Sequence, residues 1–190
     1  AMVHIKTLTA DGSGTALTFH HGTSDVVFNN TYPIYYFEFI NIHPATDGAD
    51  LVWQVNTVGA SGFNETITST FWDAYHSEGN AGKDLRNLTD YDQAQGTAYQ
   101  FMTNAIGNDN DQNLNGSMYF FNPSSTTFVK SWYRANAIAV KNGNIIVYVL
   151  KETFGSKEKI IAQKLIIIKQ NPNFDIFSFK KNREKTEAIS

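Results

Sequence analysis

Apolar and polar positions alternate along most of the chain, a period that predicts strands rather than helices. Residues 3–9 and 15–20 read as two short strands around the turn Asp11-Gly12-Ser13-Gly14. "PIYYFEFINI" (33–42) is the strongest strand. Tyr35, Phe37 and Phe39 fall on one face; Ile34, Tyr36, Ile40 and Ile42 fall on the other with Glu38. Bulk on both faces predicts a central strand. Residues 51–57 set Leu51, Trp53 and Val55 against Gln54 and Asn56, and "TITSTFWDAYH" (66–76) has the Thr and aromatic content of a strand. Residues 97–106 predict another strand, and 117–121 with 126–133 predict a hairpin around Asn122-Pro123-Ser124-Ser125. Asn142-Gly143 is a two-residue turn signal, and 144–153 with 159–170 predict a further hairpin.

Three polar stretches interrupt this pattern: 43–50, 77–95 and 107–116, rich in Gly, Asp and Asn. They predict surface loops, and 77–95 is longer than structural connections usually are, which marks it for function. Strands and turns at this spacing, with no long amphipathic helix, predict an all-β fold: an antiparallel β-sandwich, jelly-roll-like. The expected core is Tyr35, Phe37, Phe39, Leu51, Trp53, Val55, Phe71, Tyr119, Phe121 and Phe128.

Composition sharpens this in two ways. The chain has 190 residues, 42% hydrophobic and 14% aromatic, enough apolar material for one well-filled core. The net charge of −3 is unevenly spread: 1–136 hold five basic and 13 acidic residues, 137–190 hold ten basic and five acidic. The chain therefore divides into a body over 3–136, Ile/Lys-rich strands over 137–179 that complete the same domain, and a polar tail over 180–190. The lysines of the second part are scattered through apolar strands rather than clustered, so no nucleic-acid partner is predicted. With no cysteine there is no disulfide framework and no thiolate metal site. No signal-peptide pattern or membrane-spanning apolar run is seen, so no membrane insertion is expected. Ala1 ahead of Met2 reads as an expression-tag remnant.

Candidate chemistry is sparse. Asp111-x-Asn113-x-Asn115-Gly116 matches the first half of a calcium loop. The closing position holds Asn122 where such loops carry a bidentate Glu, and the flanks are strands, so the same residues also suit an Asx-rich turn. His4, His20, His21, His43 and His76 include no HxxxH pair, and no cofactor is predicted. Asp47, Asp50, Glu65, Asp73, Glu78, Asp84, Asp90 and Asp92 are mostly loop acids, and a glycosidase would need two of them held across a cleft. No nucleophile elbow, P-loop or dinucleotide fingerprint occurs, so no catalytic residue is named and the chain is not expected to be an enzyme. Trp72, Tyr75 and Tyr91 are candidate sugar-stacking aromatics, with core packing as their competing use.

Three stretches carry a resemblance: "FEFINIHPATDGADLVWQVN" (37–56), "SGFNETITSTFW" (61–72) and "FNPSSTTFVKSWYRAN" (121–136), with "DQAQGTAYQ" and "GNDNDQNLNG" between them in order. Together they resemble a family of small virion proteins of marine tailed bacteriophages, described as tail-fibre-like or structural. The resemblance covers about 3–136. After it the chain departs into Ile/Lys-rich sequence, either a replacement of the closing strands or a change of reading frame. The resemblance implies a non-enzymatic structural component of a phage tail or tail fibre, made in the bacterial host cytoplasm and resident in the virion. It would assemble as a homo-oligomer with other virion proteins and could contact a host-surface glycan through its loops. A carbohydrate-binding module that uses the exposed aromatics is the alternative.

Overall fold

In the strand at 33–42, the side chains at 35, 37 and 39 are buried and those between them half-buried. The computed structural model describes residues 2–12, 14–77, 79–103, 105–140, 144–154 and 176–182; Tyr133 and the residues after Arg134 are described by strand and register. The strands are β1 (Met2–Leu8), β2 (Ile34–Ile42), β3 (Val52–Trp53), β4 (Ile67–Ser77), β5 (Lys83–Asn87), β6 (Gln93–Gly96), β7 (Gln100–Phe101), β8 (Leu114–Phe121), β9 (Lys130–Val140), β10 (Asn144–Phe154) and β11 (Ile176–Asn182). A single 3-10 turn lies at Thr89–Tyr91, and no α-helix occurs among the described residues. Every strand pair is antiparallel. The fold is all-β.

One nine-stranded sheet runs β1-β11-β2-β8-β9-β10-β4-β5, with β6 also on β4, and β3 pairs β7 in a small second sheet. β2 is central, as its two apolar faces predicted, between β11 and β8. Its partners carry the core with it: Tyr35, Phe37, Phe39 and Ile42 from β2, Leu114, Met118 and Phe120 from β8, Ile67 and Phe71 from β4, and Trp132 from β9. Ile42 departs from the predicted face. The β2–β8 register shifts between Phe39 and Ile42, and Asn41 sits at φ 52°, so the bulge turns Ile42 back onto the Phe39 side.

The other face of the core is irregular chain. Residues 15–20 form no strand, and β1 pairs β11 instead. Phe19, Val26 and Phe28 are buried nonetheless, Phe19 edge-on to Phe37 at 5.5 Å and Phe28 against Tyr35 at 5.0 Å. A turn with Gly22, Ser24 and Asp25 at positive φ directs them inward, and the Tyr35 hydroxyl donates to Val27 O at 3.1 Å. Burial holds the Tyr35 phenol above its ordinary pKa. Residues 51–57 and 97–106 shrink to the two-residue strands β3 and β7. Leu51, Trp53 and Val55 are buried as expected, but so are Gln54, Asn56 and Thr57.

Three predicted core residues are misplaced. Tyr119 is 38% exposed, Phe121 half-buried and Phe128 69% exposed. "MYFF" is apolar on both faces, so alternation could not choose; pairing with β2 sets Phe37 opposite Met118 and Tyr35 opposite Phe120, which turns the even positions inward. The β8–β9 hairpin forms, but its connection spans 122–129 and β9 starts at Lys130. That connection is not a surface turn at its start: Pro123 and Ser124 are buried, and Asn122 takes φ 45° rather than an extended form.

The polar stretch 77–95 is not one loop. It holds β5, the 3-10 turn and most of β6, all packed along β4. Residues 114–116 of the third polar stretch belong to β8. Residues 137–140, 144–154 and 176–182 all join the large sheet, and the last of these takes 180–182 out of the predicted tail. β10 lies between β9 and β4, so both its edges are taken and neither is offered to 159–170. Residues 142–143, 159–170 and 183–190 lie outside the described residues.

Candidate functional site

The aromatic candidates lie on β4 and in the 3-10 turn that follows β5. Trp72 and Tyr75 have opposite parity on β4, so they sit on opposite faces of the sheet. Trp72 is 42% exposed, on the face away from the core. Tyr75 is half-buried under the Arg86 guanidinium, 4.6 Å from the ring centroid. Tyr91 packs into the core edge, 5.2 Å from Phe71 and 4.6 Å from Phe101. The three rings make no common platform; Trp72 alone presents a ring to solvent.

Arg86 does more than cover Tyr75. Its Nε and Nη2 meet Asp73 Oδ1 and Oδ2 at 2.9 and 2.5 Å, a two-pronged pair that fixes β5 to β4. The Asp73 side chain is fully buried and that of Arg86 is 40% exposed. The hydrogen bond to Asp73 raises the guanidinium pKa above its ordinary value. Sequence put Asp73 in the predicted strand 66–76 without assigning it a use; the signal for that use is its phase with Phe71, two residues earlier on β4.

Two residues of the calcium candidate, Asn113 and Asn115, bond to the β2 bulge. Asn115 Oδ1 accepts from the Asn41 N–H at 2.9 Å, Asn113 Nδ2 donates to Asn41 Oδ1 at 3.1 Å, and Asn115 Nδ2 donates to Asn113 Oδ1 at 2.8 Å. These amides clamp the β2 bulge, where Asn41 needs help at positive φ. Asp111 is exposed and takes no part in that clamp. Among the described residues no three His, Asp or Glu side chains are grouped to hold a metal ion.

The polar stretches converge better than the named residues do. The register row Ile42–Leu114–Ile138–Ile146–Tyr75 marks one end of the large sheet. At this end the chain leaves β2 into 43–50, enters β8 from 107–113, and leaves β4 toward the turn closed by Ser77 N–H to Gly82 O at 2.8 Å. The first two loops are stitched together: Ala49 and Ile106 exchange backbone bonds at 3.2 and 2.8 Å, His43 Nε2 lies 2.9 Å from Asp109 O, and the Ala105 N–H reaches Asp50 Oδ1 at 3.0 Å. The 122–129 connection is at the opposite end, where Lys130 Nζ donates to Ser125 O and to Phe128 O. Burial holds that amine below the usual lysine pKa.

The chain matches no family model, no curated protein and no solved structure. Its own geometry therefore carries the functional argument.

Proposed function

We propose that the chain is a non-enzymatic structural component of a virion, a block in a phage tail or tail fibre that packs with copies of itself and with other virion proteins. The observation that carries this is the division of the molecule into two unlike ends. Loops 43–50, 79–82 and 107–113 lie at one end of the sheet together, with the first and last bound to each other. The other end presents Phe128 and Val129, 69% and 41% exposed, on a connection braced by Lys130. A polar end suits contact with a host surface, and an apolar end suits burial against a neighbouring virion protein. The "FEFINI", "TITSTFW" and "FNPSSTTFVKSWYRAN" resemblance supports the same class, and these stretches supply most of β2, β4 and β9.

We read the fold as a jelly-roll-like sandwich, taking the long sheet as one layer and β3–β7 with 15–32 as the other. Trp53 of β3 supports it, edge-on to Phe120 at 5.9 Å and to Trp132 at 4.5 Å. The carbohydrate-module alternative keeps Trp72 as its one exposed candidate ring.

Mass spectrometry of purified particles tests the proposal. The chain should appear in the virion at a fixed multiple of a known tail protein. Its presence in the infected lysate but absence from washed particles would overturn the assignment.

A further inference from the structure

We propose that His21 is a proton-sensitive latch on the irregular layer over the core, holding residues 21–28 closed as the neutral ring and loosening them as the imidazolium. The Phe28 backbone N–H donates to His21 Nδ1 at 3.0 Å. Phe28 is fully buried, 5.0 Å from the Tyr35 ring, so this bond fixes a residue that fills the core. A ring nitrogen that accepts a backbone N–H carries no proton of its own, so the closed loop holds the neutral ring. The imidazolium is a donor at both nitrogens and cannot make this bond. Protonation therefore turns two N–H groups against each other and takes this acceptor from a part-buried backbone donor.

The loop leans on this bond because its turn is strained. Gly22, Ser24 and Asp25 all take positive φ, and the last two carry side chains that disfavour it. Within the turn, Gly22 N–H donates to Val26 O at 2.8 Å, Thr23 N–H to His20 O at 3.1 Å and Val26 N–H to Thr23 O at 3.1 Å. These bonds close 20–26 on itself, and the His21 bond carries the closure on to Phe28. The titratable neighbours do not provide the same switch. His20 is exposed, with Nδ1 3.1 Å from His21 O, a contact that its imidazolium also makes. Asp25 is exposed at the tip of the turn. Tyr35, from β2, donates to Val27 O and accepts from the Asn29 N–H, with the Tyr32 ring 6.4 Å away, and both phenols stay neutral in acid. In the open loop His21 titrates near the ordinary histidine value of about 6.5. The closed loop is therefore at full strength above that pH and weakens below it, where the open form binds the extra proton.

The latch does not depend on the virion assignment, because it is read on the isolated chain. Amide exchange is followed by NMR on the full chain, with rates corrected for the intrinsic effect of pH on exchange. Between about pH 7.5 and about pH 5 the protection factor of the Phe28 amide should fall by about thirty-fold, the factor by which protonation of a ring of ordinary pKa favours the open loop. His21→Asn sets a carboxamide oxygen where Nδ1 stood and does not titrate, so it should protect the amide alike at both pH values. His20→Asn should show the same fall as the parent. The nitrogen shifts of the His21 ring should report a bare Nδ1 at neutral pH. Unchanged Phe28 protection in acid overturns the latch, as does an equal fall in folded His21→Asn. If His21→Asn does not fold, the parent decides: a proton on Nδ1 at neutral pH, or a Phe28 amide indifferent to acid, refutes the proposal.

Discussion

β2 with β8, and residues 51–57 with 97–103, are comparably buried and are built in opposite ways. In β2 and β8 the backbone pairs with backbone along the strand, so each side chain answers only to its face. In 51–57 the ladder lasts two residues, and side-chain amides take over the pairing. Gln54 Oε1 accepts the Val55 N–H at 2.9 Å, and Gln54 Nε2 reaches the carbonyls of Glu65, Thr97 and Ala98 at 3.0, 3.3 and 3.1 Å. Glu65 Oε1 takes the Thr57 N–H at 2.9 Å, and Thr103 Oγ1 takes that of Leu51 at 3.1 Å. Gln100 Nε2 donates to Tyr91 O and Phe101 O, at 3.0 and 3.1 Å. A sheet tolerates apolar exchange because its polar groups are paired without side chains. An irregular buried segment does not, because its polar groups depend on particular amides.

The largest expected effect lies on the ladder side, where volume is everything. Phe37→Ala should cost about 3–5 kcal/mol in urea unfolding, and a shift in midpoint below a third of that would show that this face is not the core. The contrast is drawn most sharply by apolar replacement. Gln54→Leu should cost about 3 kcal/mol by orphaning three part-buried carbonyls and one buried N–H. Met118→Leu, a volume-conserving change on β8, should cost less than about 1.5 kcal/mol. Equal costs for the two would erase the distinction between ladder and amide-paired regions.

Asn115→Ala removes one clamp from an exposed bulge and should cost about 1 kcal/mol. Calcium or a chelator should leave the melting temperature of the parent unmoved, whereas a rise with calcium would restore Asp111, Asn113 and Asn115 as a metal loop. The smallest effect at neutral pH is electrostatic. Burial depresses the Lys130 pKa, so the unfolded chain binds that proton more tightly than the folded one. Stability should therefore rise as pH climbs from the folded pKa toward the unfolded value near 10.5. The raised Tyr35 pKa acts oppositely, stability falling as pH rises above about 10. Comparison of the parent with Lys130→Met isolates the first effect: the variant should lack the rise, and identical alkaline profiles would refute it.

What the sequence determined by itself was strand character and, in part, face. Alternation in 33–42 and 66–76 located β2 and β4 and their buried Tyr35, Phe37, Phe39 and Phe71, because a regular ladder lets side-chain period follow burial. The same logic located Leu51, Trp53 and Val55 without showing that Gln54 and Asn56 would be buried beside them. Only tertiary structure decided the rest. Pairing with β2 chose Met118 and Phe120 over Tyr119 and Phe121, since four successive large apolar residues carry no phase of their own. Pairing with β4 made strands of 83–87 and 93–96, whose polar sequence reads as loop until a neighbour supplies its hydrogen bonds. The bulge at Asn41 drew the side chains of Asn113 and Asn115 into a clamp across β2 and β8. Tyr36 and Tyr119, 83 residues apart in the chain, became neighbours only because antiparallel register set them side by side. Local period reports which residues can be buried; which partner buries them, and what that leaves facing solvent, is set by contacts distant in sequence.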